Sequence, residues 1–368
     1  MPSGRGRPVH ARPALFLVLL PILVSCSPPA HRAFYYWKTA KGPSASELAV
    51  ADRAGADRLY VRLFDIDETG AATPALTATG PQRQAWTADG KRELVPVVYV
   101  ANGALAAPGF RPREAARSLA AGVTRLWDGD GPAWKELQVD CDWTERTRDV
   151  YFTLLGALRA DLRSRGQTVS ATIRLHQVKY RQSTGVPPVD RGMLMAYNLL
   201  PPRSAGGRSA ILDPEELAGY LRSLQGYPLA LDVALPMFSW VVQWEGERLI
   251  GLIGEPRALL ELHGPSFRPI GPHRFEAVGR TYLAGHSVEP GDLFVTDRPG
   301  PESALRAAAL LSRSVSRGAR TVALYHLDTE TLDSFTGGDD GKVDKVFDAL
   351  GALRPRGSTP PGVRPGTL

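Results

Sequence analysis

The chain has 368 residues, 43% of them hydrophobic, and a formal net charge of +6. That length suits one large barrel or two ordinary domains. The basic excess is largely scattered arginine, with no lysine/arginine block interleaved with aromatics, so nucleic acid is not expected as a partner.

The N-terminus reads as a targeting segment over residues 1–25. Arg5, Arg7 and Arg12 precede an apolar run at 14–24, and small residues follow, the three parts of a secretory signal. The run is too short for a helix to span a bilayer about 30 Å thick. Leu23-Val24-Ser25-Cys26 is similar to a bacterial lipobox, which implies acylation of Cys26, a lipidated linker at 26–32 and an extracytoplasmic protein anchored at the cell envelope. Of the two cysteines this leaves only Cys141, so no intramolecular disulfide is expected. No Cys/His cluster has zinc spacing, and neither a metal nor any other cofactor is expected.

From residue 33 the pattern alternates strand and helix. Strands are expected at 34–37, 58–64, 94–100, 136–143, 168–175, 193–198, 229–235 and 321–327. Helices are expected after Ser44, whose partner Glu47 completes a capping box, and at 112–127, 147–164, 213–224, 301–316 and 343–353. Eight strands joined by helical crossovers predict an α/β fold, a (β/α)8 TIM-like barrel over 33–354. A doubly wound open sheet is the alternative, but no Gly-rich phosphate turn follows the first strand. Residues 241–300 are too long for a simple loop and carry short β-like runs, which predicts a β-rich insertion between strands seven and eight. The Pro/Gly-rich tail at 355–368 is expected to be disordered.

The fourth strand is the most informative segment. In Leu137-Gln138-Val139-Asp140-Cys141-Asp142-Trp143-Thr144-Glu145 apolar and polar residues alternate with period two. Gln138, Asp140, Asp142 and Thr144 share one face, while Cys141 falls on the apolar face as a small buried hydrophobe. Two carboxylates facing a barrel interior are costly unless something uses them.

Active sites of such barrels lie at the C-terminal strand ends. There the sequence places Asp65 and Asp67, Asn102, Asp140 and Asp142, Arg174 and His176, Tyr197 and Asn198, then Phe238, Trp240 and Trp244, and finally Tyr325, His326 and Asp328; Trp37 closes the first strand. Aromatic rings stack on the apolar faces of sugars, and carboxylates and amides bond their hydroxyls. Paired carboxylates are also the machinery of glycoside hydrolysis. Duller roles stay open: Asp65 and Asp67 solvating a turn, Arg174 neutralising the aspartates, His176 as a loop residue, Trp240 and Trp244 as core. A further reading gathers Asp65, Asp67, Asp140 and Asp142 around a hard divalent cation.

Val-Asp-Cys-Asp-Trp-Thr-Glu at 139–145 is similar to the fourth-strand signature Asp-x-x-Asp-x-Asp-x-Glu of family 18 glycoside hydrolases, and Met195-Ala196-Tyr197-Asn198 resembles their sixth-strand Met-x-Tyr-Asp. Asp140 and Asp142 match; Leu137 replaces the first aspartate, Thr144 the catalytic glutamate and Asn198 the last aspartate. Glu145 comes one residue late. Three longer segments, at 34–38, 138–172 and 235–240, resemble a bacterial family catalogued as domain of unknown function 3142. These resemblances imply a glycosidase-like barrel acting on or binding envelope or environmental carbohydrate. Asp140, Asp142 and Glu145 would be its catalytic candidates. Arg174, His176, Tyr197, Asn198, Trp37, Trp240, Trp244 and Asp328 would contact substrate. A non-catalytic glycan-binding or scaffold lipoprotein is the competing reading.

Overall fold

The computed structural model describes residues 30–351, apart from 40, 77–79, 89, 128–132, 203–207 and 316–320. The expected signal, the expected acylation site Cys26, most of the linker and the 355–368 tail lie outside the described residues.

Eight parallel strands close a barrel: β1 (His31–Tyr36), β2 (Arg58–Ile66), β3 (Glu93–Val100), β4 (Glu136–Asp140), β5 (Thr168–Arg174), β6 (Arg191–Met195), β7 (Leu231–Pro236) and β8 (Thr321–Tyr325). Each pairs with its sequential neighbours, and β1 closes the ring because Phe34 pairs with Leu59 on one side and Leu324 on the other. The (β/α)8 expectation holds. Helix placement follows apolar spacing. The helix Arg148–Arg163 buries Tyr151, Leu154, Leu155, Leu158 and Leu162, a stripe at intervals of three and four that faces the strands. Each such side chain contributes about 1.5–3 kcal/mol relative to exposure. The first helix, Ala45–Arg53, carries the capping box read from the sequence, with Glu47 N–H donating to Ser44 and Ser44 N–H donating to Glu47.

Strands four, six and eight end earlier than the sequence suggests. β4 stops at Asp140, where the Cys141 N–H turns to the Thr172 hydroxyl (3.4 Å) instead of a backbone partner. The helix Thr329–Thr336, capped by Asp328, was not anticipated.

Period-two alternation splits β4 and β5 cleanly. Leu137, Val139, Val169, Ala171 and Ile173 are fully buried and apolar. The inward residues form hydrogen-bonded rungs. Ser170 donates to Glu136 (2.6 Å), Gln138 donates to Ser170 (3.2 Å), Thr172 donates to Asp140 (2.5 Å), and Arg174 reaches Asp142. Tyr35 adds a bond across the barrel to Gln138 (2.5 Å). The interior is therefore polar yet bonded, which is the condition for burying such groups without a large penalty.

Between β7 and β8 the chain leaves the barrel and builds a five-stranded antiparallel sheet. Its order is Arg248–Ile253, Trp240–Glu245, Leu293–Asp297, Arg274–Ala277, Phe267–Gly271. One face covers a separate small core containing Val241, Leu262, Phe267 and Phe294.

Candidate functional site

A cavity of about 570 Å³ opens at the C-terminal ends of the strands, and all eight barrel strands or the residues just beyond them contribute to it. Its aromatic wall is continuous. The Tyr325 ring lies 5.6 Å from Trp37, 5.7 Å from Tyr197 and 5.8 Å from Phe238, and Phe238 lies 5.8 Å from Trp240. Arg62 stands over Trp37 (5.1 Å) and Tyr99 (5.3 Å), held by two bonds to Asp65 (2.8 and 2.7 Å). Asp65 thus anchors a cation at the mouth.

The acidic side of the cavity is Asp140 and Asp142. Asp140 is 5% exposed, and burial raises its pKa, opposed by Arg174 and the Thr172 hydroxyl. The Asp142 side chain is 60% exposed, and Arg174 clasps it, Nε 2.5 Å from Oδ1 and Nη2 3.3 Å from Oδ2. Burial would lower the Arg174 pKa, but the Tyr197 phenol and the two aspartates outweigh it and raise the value. The guanidinium also lies over the Tyr197 ring at 5.6 Å. Burial raises the Tyr197 and Tyr325 phenols and lowers His326, so these three stay neutral near pH 7.

Three buried polar atoms on lining residues have no partner among the described residues: Arg174 Nη1, Trp240 Nε1 and His326 Nδ1. Buried donors are ordinarily satisfied. Three such groups occur on residues that line this one cavity.

Of the expected residues, the cavity brings together Trp37, Asp140, Asp142, Arg174, Tyr197, Asn198 and Trp240. Asn198, in the left-handed region at φ 56°, donates its N–H to the Ile211 carbonyl (2.8 Å). Others fall elsewhere. Glu145 lies in the exposed turn after β4 and does not line the cavity. Thr144 and Thr147 tie that turn to Asn102, whose side chain accepts from Thr147 (2.6 Å). Asp328 faces away from the ligand space: it caps its helix through the Thr331 N–H (2.9 Å) and pairs with Lys38. His176 is exposed and lines a neighbouring cavity of about 420 Å³ on the far side of Arg174. Trp244 belongs to the inserted sheet and lines a different cavity. Asp67 accepts from Thr69 in an exposed turn. Among the described residues no three His, Cys, Asp or Glu side chains converge as a metal would require, so the four aspartates do not assemble a cation site.

The sequence reading missed Arg62, Tyr99 and Ser239. Arg58, Tyr60 and Arg62 continue one face of β2 at period two, a cue that an arginine at the C-terminal end of a barrel strand points inward.

No protein-family model and no curated protein sequence matches the chain. The likeness to family 3142 therefore rests on its three segments alone. Solved structures share the fold. A chitinase from Chromobacterium violaceum aligns with TM-score 0.57 at 14% identity, over 87% of this chain and 99% of that one. An Ostrinia furnacalis Group IV chitinase in complex with allosamidin aligns at 0.53 and 13%, covering 88% and 100%. The spore cortex-lytic enzyme SleL of Bacillus megaterium aligns at 0.51 and 10%, covering 83% and 74%. At 10–14% identity these likenesses show a shared barrel fold.

Proposed function

We propose that the protein is an envelope lipoprotein of the family 3142 type, anchored through Cys26 outside the cytoplasm, that binds a glycan in the barrel mouth without cleaving it. One observation carries this reading: both carboxylates of the cavity lie on the same side of it, and both are engaged. Asp140 is bonded to Thr172 and Asp142 to Arg174. Glycoside hydrolysis by two carboxyls needs them to flank the scissile bond, about 5–9.5 Å apart. Here no acid lies across the mouth among the described lining residues. The position of the family 18 glutamate is Thr144, and neither it nor Glu145 lines the cavity.

The aromatic wall supports glycan as the ligand. Trp37, Tyr325, Phe238 and Trp240 present ring surface, and Asp142, Arg174 and Asn198 present polar groups beside it, the combination a sugar ring needs. A hydrolytic reading has one observation in its favour: burial favours the protonated form of Asp140, as a general acid requires. Titrating the full chain with chito-oligosaccharides and purified envelope glycans, while following tryptophan fluorescence and release of reducing ends, separates the two. Saturable binding with no product supports the binding reading. Turnover that disappears in Asp142→Asn would replace it with hydrolysis.

A further inference from the structure

The inserted sheet carries a second cavity, of about 670 Å³, that the mouth does not account for. Its wall is one face of two paired strands. Trp240, Val242 and Trp244 alternate along the first strand, opposite Asp297, Val295 and Leu293 on the second. Trp240 and Trp244 are four residues apart, about 13 Å along a strand. They form a two-indole platform on one face. Trp240 also lines the barrel mouth, so the two cavities meet at a shared ring.

The arginines around this platform are unequally compensated. Arg208, Arg274, Arg298 and His273 border it against a single carboxylate, Asp297. That carboxylate is turned into the protein: it accepts from Ser209 Oγ (2.6 Å), Ala210 N (2.7 Å) and Ile211 N (3.1 Å). Arg298 donates to the Ser334 carbonyl, and Arg208 stands 3.8 Å from both Asp213 and Glu216. Arg274 is exposed and has no ion pair among the described residues. Arg274 is thus the guanidinium at this face with no carboxylate partner among the described residues, and a neutral sugar has no use for it. Guanidinium forks match carboxylate and phosphate oxygens.

We propose that this face of the inserted sheet is a second subsite, selective for anionic groups carried on a glycan, either a sugar carboxylate or a phosphodiester, and continuous with the mouth through Trp240. The assignment rests on the glycan-binding reading of the mouth and extends it to an acidic polymer. Apolar sugar faces lie on the two indoles while anionic substituents reach Arg274.

The test uses the full chain and three probes: chitotetraose as the neutral glycan, tetragalacturonate for carboxylate, and an oligo(glycerol phosphate) for phosphodiester. Affinities are measured at low and high salt for the wild type, Arg274→Glu and Trp37→Ala. The expected result is that at least one anionic probe binds about ten-fold or more tighter than chitotetraose and weakens with salt. Arg274→Glu removes that advantage and leaves chitotetraose unchanged. Which anionic probe wins identifies the chemical source. If chitotetraose binds as well as both anionic probes and Arg274→Glu changes nothing, the anionic subsite is overturned while glycan binding at the mouth stands. If an anionic probe binds through Arg274 while chitotetraose never binds and Trp37→Ala has no effect, the subsite stands and the mouth reading falls. Binding of no probe overturns both.

Discussion

Arg174 places its Nε 2.5 Å from Asp142 Oδ1 and leaves its buried Nη1 unpartnered. The same guanidinium is the nearest compensation for the buried Asp140, lowering a pKa that burial raises. One side chain thus holds an exposed carboxylate by contact and a buried one by field.

Removing that cation exposes the difference. Arg174→Met should destabilise the fold by roughly 3–5 kcal/mol, because Asp140 stays buried and loses the larger of the two cationic influences on it, Arg174 and Arg62. The ion pair with the exposed Asp142 adds little. Urea unfolding of Arg174→Met, Asp140→Asn and the double variant checks this. The double variant should recover most of the loss, and strict additivity would show that Arg174 acts elsewhere.

Two carboxylates should respond to pH with opposite sign. The folded pKa of Asp140 is raised, so the native state binds its proton more tightly and stability falls as pH rises from the ordinary carboxylate value through the raised one. For Asp328, burial is outweighed by Lys38 and the Thr331 N–H, and the folded pKa is lowered. Its contribution is present above the ordinary value and is lost as pH falls through the lowered one. In thermal unfolding across pH, Asp140→Asn should flatten the first slope and Asp328→Asn the second.

Ring surface at the mouth should govern affinity. Trp37→Ala and Trp240→Ala should each weaken glycan binding about ten-fold, roughly 1.4 kcal/mol. Titration calorimetry reads this directly, and unchanged affinity in both variants would remove the mouth as the binding site.

Glu145 provides a contrast. It is exposed in a turn, so Glu145→Ala should leave glycan affinity unchanged and stability within about 0.5 kcal/mol. Loss of a measurable hydrolytic activity in that variant would reinstate Glu145 as an acid and end the binding-only proposal.

The proposed anchor is tested at Cys26. Cys26→Ser should move the protein from the membrane fraction to the soluble extracytoplasmic fraction and abolish incorporation of labelled fatty acid. A variant that still partitions with membranes would show that something other than acylation holds it there.

Much of the barrel was legible because strand period and helix period differ. Val139 next to Asp140, or Leu154 next to Leu155 and Leu158, assigns faces before any coordinates exist. The partnership between Thr172 and Asp140 follows from register alone once two adjacent parallel strands are aligned at Gln138 and Ser170. What escaped is what register does not carry. Asp328 and Trp244 follow the ends of β8 and β7, yet chain geometry past a strand end turns one into a helix cap and the other onto the inserted sheet. Glu145 falls outside the cavity lining for the same reason: β4 ends five residues before it, so strand parity no longer says where it points. Arg62 was readable and overlooked, being one arginine among many until Trp37 and Tyr99 flank it.

Trp240 opens the first strand of the inserted sheet and lies 5.8 Å from Phe238 beside the barrel. It is a member of both walls, so neither cavity has an independent width. The two cavities therefore share a boundary one side chain wide. Tandem ligands long enough to touch both should bind with an avidity that two separate short ones never reach.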